Sequence, residues 1–161
     1  MGLPATPGTY VLLMATDRDQ EIRAGSLGIL KVQPGYCVYV GSAFGPGGLA
    51  ARVLRHQRQH KKLRWHIDYL RAVVAMEEVW YTLDAKRREC QWADTLAQMP
   101  GCSWPLAGFG ASDCPCVSHL FYFQGKPSIR VFRRLTRRLA PGRAPIRRLT
   151  AGRIPLSYAR D

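Results

Sequence analysis

Gly8-Thr9-Tyr10-Val11-Leu12-Leu13-Met14-Ala15 and Tyr36-Cys37-Val38-Tyr39-Val40-Gly41-Ser42-Ala43 anchor the fold prediction. Thr9–Ala15 and Tyr36–Val40 are short, apolar and bounded by turn formers, so both read as strands. Tyr10 stands near the beginning of the first strand and Tyr39 near the end of the second. If the two strands pair antiparallel, both tyrosines reach the same end of a sheet. Gly41 would then leave room beside Tyr39 for a substrate backbone. On strand pattern alone, the favoured reading is two amphipathic tyrosines at a sheet margin.

Between these strands, Glu21–Ala24 and Leu27–Val32 flank Gly25-Ser26 and predict a small hairpin, and Pro34-Gly35 is a turn signal. Downstream, Gly45-Pro46-Gly47-Gly48 breaks the chain before a helix over Leu49–Gln59. It is not a P-loop, because no Gly-Lys-Ser/Thr follows it. A second helix is predicted over Trp65–Val74, a strand over Glu78–Leu83, and a third helix over Lys86–Gln98, ended by Pro100-Gly101. Trp104–Cys116 reads as a loop rich in Gly, Pro and Cys, and His119–Phe123 as a last strand. This order predicts an α/β (α+β) fold with a small, mostly antiparallel sheet flanked by helices.

With 161 residues, 47% of them apolar, the chain has material for one domain with a core, plus an appendage. We divide it into a body, 1–125, and an arginine-rich tail, 126–161, partly helical or disordered. The net charge is +13, and the tail alone, with eleven basic residues and one acidic, carries +10. Such a tail suits a polyanion or an anionic membrane surface. Ile129, Val131, Phe132, Leu135 and Leu139 form one apolar stripe on a basic helix, while Pro141, Pro145 and Pro155 forbid a longer one. No apolar stretch approaches transmembrane length and no signal peptide is visible, so the expected location is cytoplasmic.

Several residues carry chemistry. Arg52, His56 and Gln59 share one face of the first helix, and an arginine near a helix start suits phosphate. Glu89 aligns with Trp92, Ala93 and Leu96, so it points with the apolar face of its helix. A carboxylate there needs a partner or a metal; a salt bridge to Arg87 or Arg88 is the bland alternative. His66 could orient a nucleophile, contact phosphate or, as a structural histidine, hold a backbone carbonyl. Cys102, Cys114, Cys116 and His119 could furnish three thiolates and an imidazole. Cys-Pro-Cys leaves one residue between ligands, fewer than in common zinc sites, so a structural loop is the favoured reading.

In this order Gly8-Thr9-Tyr10, Tyr39-Val40-Gly41-Ser42-Ala43, Arg52, His66 and Glu89 resemble the GIY-YIG nuclease superfamily. Gly45 to Arg52, Trp65 to Leu70, Ser112-Asp113-Cys114 and Ser118 to Tyr122 resemble its Uri-type branch. The resemblance spans about residues 8–123 and implies a sheet that is three-stranded at its centre, with residues 16–34 holding an extra hairpin. It implies a metal-dependent endonuclease hydrolysing nucleic-acid phosphodiester bonds, DNA more than RNA, with Mg²⁺ or Mn²⁺. The alternative is a non-catalytic nucleic-acid-binding module using the same groove and the basic tail. Glu89 matches the metal ligand, Tyr10 the general base or water positioner, Tyr39 the second tyrosine and Arg52 the phosphate contact. His66 matches the histidine, with His56 and His60 competing. Gly41, Ser42, Arg55 and His56 are placed on the substrate. Threonine and valine stand where the signatures have isoleucine, and the late asparagine of some members has no match here.

Overall fold

The computed structural model describes residues 2–58, 61–142 and 144–154. Strand β1 (Gly8–Thr16) lies at the centre, antiparallel to β4 (Gly35–Ala43) on one side and to β5 (Ala75–Thr82) on the other. β6 (Leu120–Phe123) adds to β4 and β7 (Ile146–Thr150) to β5, giving a five-stranded antiparallel sheet in the order β6-β4-β1-β5-β7. β2 (Gln20–Arg23) and β3 (Ile29–Val32) form the expected extra hairpin as a separate two-stranded sheet. The α+β class and the three central strands agree with the sequence reading.

Every residue of β1 from Gly8 to Met14 is buried. Both faces of the sheet are covered, which is why its apolar residues run on instead of alternating with polar ones. On one face Tyr10, Leu12, Met14 and Tyr39 pack under α1 (Gly48–Gln57) and α2 (His66–Arg71). On the other, Val11, Leu13, Val38 and Val40 pack under α3 (Glu89–Ala97) and α4 (Ile129–Leu139). The third helix starts at Glu89 rather than Lys86, because Asp84 accepts the Lys86 N–H at 3.0 Å and pairs with Arg88 at 2.9 Å, holding that stretch as a turn. No helix among the described residues is long and apolar enough to cross a membrane.

The boundary expected at 125/126 does not appear in the packing. α4 covers the predicted stripe and starts at Ser128, whose side chain caps it by accepting the Val131 N–H. Phe132 is fully buried, with its ring centroid 5.3 Å from that of Trp80 and 5.1 Å from that of Trp92. β7 then pairs with β5. Net charge misleads here: Arg130, Arg134, Arg137 and Arg138 are exposed, Arg133 donates to the Ile146 carbonyl at 2.8 Å, and a narrow apolar stripe suffices to dock the helix. Gln59, His60, Pro155 and the end of the tail lie outside the described residues.

Candidate active site

The β1–β4 register sets Tyr10 opposite Gly41 and Tyr39 opposite Leu12. Side chains alternate along each strand, so the two tyrosines are diagonal neighbours on one face, at one end of the sheet. The space at Gly41 belongs to Tyr10, not to a substrate backbone. A Cβ at position 41 would sit 2.5 Å from Tyr10 Oη and 2.6 Å from its Cζ.

Tyr10 Oη lies 2.6 Å from Nε2 of His56, which α1 places one turn after Arg52. Both rings are buried. Burial, reinforced by nearby Tyr39, pushes the Tyr10 hydroxyl well above its ordinary pKa, and burial with the Lys61 charge pushes His56 well below its own. The pair is therefore a neutral phenol and a neutral imidazole. His56 Nδ1 has no hydrogen-bond partner among the described residues. A buried lone pair without a partner costs less than a buried N–H without one. The economical tautomer thus has Nε2–H donating to Tyr10 Oη, which frees the Tyr10 proton for another acceptor.

Arg52 stacks on Trp65, its Cζ 4.5 Å from the ring centroid. Arg55, expected on the substrate, stacks on the same ring at 3.8 Å and donates to both oxygens of Asp68, at 2.7 and 2.8 Å. Burial alone would raise the Asp68 carboxyl. Those bonds, with the backbone N–H groups of Trp65 and Arg64, instead hold it well below the usual carboxylate range. Arg55 is committed to fixing Trp65, and Trp65 carries Arg52. His66 Nδ1 accepts the Gly110 N–H at 2.9 Å, and burial lowers its pKa, so its other nitrogen carries the proton.

Glu89 reaches the same place from the opposite face. Ser42, expected on the substrate, donates to Glu89 Oε2 at 2.7 Å, and His119 Nδ1 lies 2.8 Å from Oε1. Burial would raise the Glu89 carboxyl, but the hydrogen bonds from His119 and Ser42 and the Arg87 charge outweigh it and keep it low. Tyr10, Tyr39, Arg52, His66 and Glu89 all line one cavity of about 280 Å³, with Gly41 and Ser42 in its wall. His56 and Arg55 stand behind it. Arg64 and Arg87 also face the cavity. Among the described residues, no carboxylate forms an ion pair with Arg52, Arg64 or Arg87.

The family model described as "Domain of unknown function DUF123" matches residues 9–140. The chain belongs to that family. The match runs from β1 to the end of α4 and so includes the helix that net charge assigned to a separate tail. No curated protein and no solved structure matches the chain.

Sequence reasoning missed two partners. Cys90, not Cys102, gathers with Cys114, Cys116 and His119, their ligand atoms all within 4.8 Å of one another. His119 joins that group to Glu89. The adjacency of Glu89 and Cys90 at the start of one helix was the available signal.

Proposed function

We propose that the protein is a metal-dependent endonuclease of the GIY-YIG kind, hydrolysing nucleic-acid phosphodiester bonds, with DNA the favoured substrate. One observation carries this reading: three guanidiniums without carboxylate ion-pair partners among the described residues share a tyrosine-lined cavity with the carboxylates of Glu89 and Asp113. A site for a phosphodiester and a cation needs that charge pattern.

Glu89 fits Mg²⁺ or Mn²⁺. Oε2 accepts the Ser42 hydroxyl, Oε1 lies 2.8 Å from His119 Nδ1, and each oxygen keeps a further lone pair. One or two carboxylates suit a cation whose other ligands are waters and phosphate oxygens. When bound, the cation would supply Lewis-acid stabilisation of the developing charge. The remaining work belongs to the chain. Arg52, held on Trp65, takes a phosphate oxygen. Tyr10 stays protonated at neutral pH, so it serves as a donor that orients water or phosphate rather than as a proton acceptor. His56 fixes its oxygen. Arg64 and Arg87 add positive potential in the cavity wall.

The experiment is cleavage of single- and double-stranded DNA and RNA with Mg²⁺ or Mn²⁺, by the parent and by Glu89→Gln. The parent is expected to cut, and the variant to remain folded and lose at least a hundredfold in rate. Binding without cutting by the parent would make the chain a non-catalytic nucleic-acid module. Equal cutting by both would put the site elsewhere.

A further inference from the structure

We propose that Cys90, Cys114, Cys116 and His119 bind one structural Zn²⁺, and that Glu89 is the carboxylate partner of the histidine ligand. The inference concerns a second metal site and holds whether or not the neighbouring cavity cuts nucleic acid.

Three thiols and an imidazole converge from separate segments. Cys90 sits in the first turn of α3, Cys114 and Cys116 in the long loop after it, and His119 just before β6. Zn–S bonds of about 2.3 Å place tetrahedral ligands roughly 3.8 Å apart. The four ligand atoms already lie within 4.8 Å of one another, and Cys114 Sγ is 3.2 Å from His119 Nε2. All five cysteines are free thiols. Cys114 and Cys116 keep their one-residue spacing, yet their sulfurs lie together with those of Cys90 and the His119 imidazole within 4.8 Å.

The imidazole is oriented for the task. Nε2 faces the thiols while Nδ1 faces Glu89 Oε1. A ligating histidine nearly always gives its other N–H to an acceptor, a carboxylate among the commonest. His119 is itself buried, so the carboxylate fixes both its ring and its tautomer. On binding, the three thiols release three protons, and the Nε2 lone pair completes the set.

The loop needs such a tether. Ser103–Ser118 holds no helix and no strand beyond one isolated bridge at Ser103, yet its Gly110, Ser112 and Asp113 wall the catalytic cavity. An irregular segment of that length in a compact fold calls for a restraint of its own. A soft, sulfur-rich set selects zinc over Mg²⁺, and four protein ligands close the coordination sphere against substrate. Glu89 thereby has two duties. Oε1 steadies the zinc-binding histidine, and the carboxylate's remaining lone pairs face the cavity.

The test is the zinc content of the full chain after reducing purification and zinc loading, with the spectrum of the Co²⁺-substituted protein. One zinc per chain and the thiolate charge-transfer and intense visible bands of tetrahedral Co²⁺ are expected. Cys114→Ser and Cys116→Ser should lose the metal, whereas Cys102→Ser and Cys37→Ser should keep it. Glu89→Gln should still load one zinc, with affinity weakened about 10- to 100-fold. If the thiol variants do not fold, the parent's stoichiometry and cobalt spectrum decide alone. Less than a tenth of a zinc per chain in the parent, an iron–sulfur chromophore, a disulfide among these cysteines, or equal loss on Cys102→Ser would each overturn the proposal.

Discussion

Under α1 and α2 the protein buries Tyr10, His56, Asp68 and Arg71 among aliphatic side chains, and these groups bond across elements. Tyr10 on β1 meets His56 on α1, Asp68 on α2 holds Arg55 on α1, and Arg71 donates to the His56 carbonyl at 2.9 Å. Under α3 and α4 the core is Trp80, Trp92, Phe121, Phe123 and Phe132. The buried hydroxyls of those helices bond within their own helix, Thr95 to the Gln91 carbonyl and Thr136 to that of Phe132. A cross-element bond in a low-dielectric layer fixes one helix against another in register. A hydroxyl returned to its own helix fixes nothing beyond that helix. Cross-element bonds on this second side lie at its margins, where Ser42 on β4 donates to Glu89, Thr9 on β1 accepts the Arg88 N–H at 3.0 Å and Arg133 on α4 donates to the Ile146 carbonyl at 2.8 Å. The first face therefore ties its helices together through polar bonds within its core, and the second supplies mainly burial and brings Glu89 to the sheet end.

The contrast breaks most visibly at Phe132. It lies on the face whose contribution is burial, within the helix that net charge assigned to the tail. Phe132→Ala removes a ring packed against two tryptophans and is expected to cost about 3–5 kcal/mol, a large share of the stability of a domain this size. Urea unfolding followed by circular dichroism measures it. Cleavage per folded molecule should stay close to the parent's. A cost under about 1 kcal/mol would mean that α4 is not part of the core.

On the other face Asp68 tests whether cross-element polar bonds stabilise the fold. Asp68→Asn keeps the shape but ends the two-oxygen grip on Arg55. Arg55 reaches solvent in part, so the expected cost is about 2 kcal/mol, below that of a fully buried pair. The sign with pH follows from the lowered carboxyl. The carboxylate contributes its stabilisation fully above its unfolded pKa of about 3.9, and that contribution is lost as pH falls through the lower folded value. The gap between parent and variant in urea midpoint should be full at pH 7 and shrink below about pH 4. A gap that does not change with pH would assign the effect to packing.

Much of this was legible beforehand, and the limit is physical. Two strands with tyrosines at opposite ends put both at one sheet margin only if the strands pair antiparallel, a condition the sequence leaves open and the β1–β4 register meets. An acid among Trp92, Ala93 and Leu96 implies a paired or metal-binding carboxylate. The apolar stripe from Ile129 to Leu139 gave the fourth helix its bounds. Periodicity encodes which face of an element is buried, but not what it is buried against. So the stripe did not reveal that α4 sits on Trp80 and Trp92. Local spacing could not join His119 to Glu89, or choose Cys90 over Cys102. His56 was visible as a helix-face neighbour of Arg52, yet its bond to Tyr10 spans 46 residues.

That bond gives the smallest change in stability and the sharpest test of what the first face is for. Tyr10→Phe keeps the ring that fills the space over Gly41 and removes only the hydroxyl. Net loss of one neutral hydrogen bond costs about 1 kcal/mol, with a further penalty because His56 Nε2 loses its partner. The expected loss is therefore about 1–2 kcal/mol, well short of Phe132→Ala. The rate should respond out of proportion, falling a hundredfold or more if the Tyr10 proton orients water or phosphate in the transition state. Single-turnover cleavage and urea unfolding on the same preparation separate the two effects. Metal-dependent cleavage near the parent rate, with the stability loss intact, would reduce Tyr10–His56 to a structural pair and leave Arg52 and Glu89 as the catalytic groups.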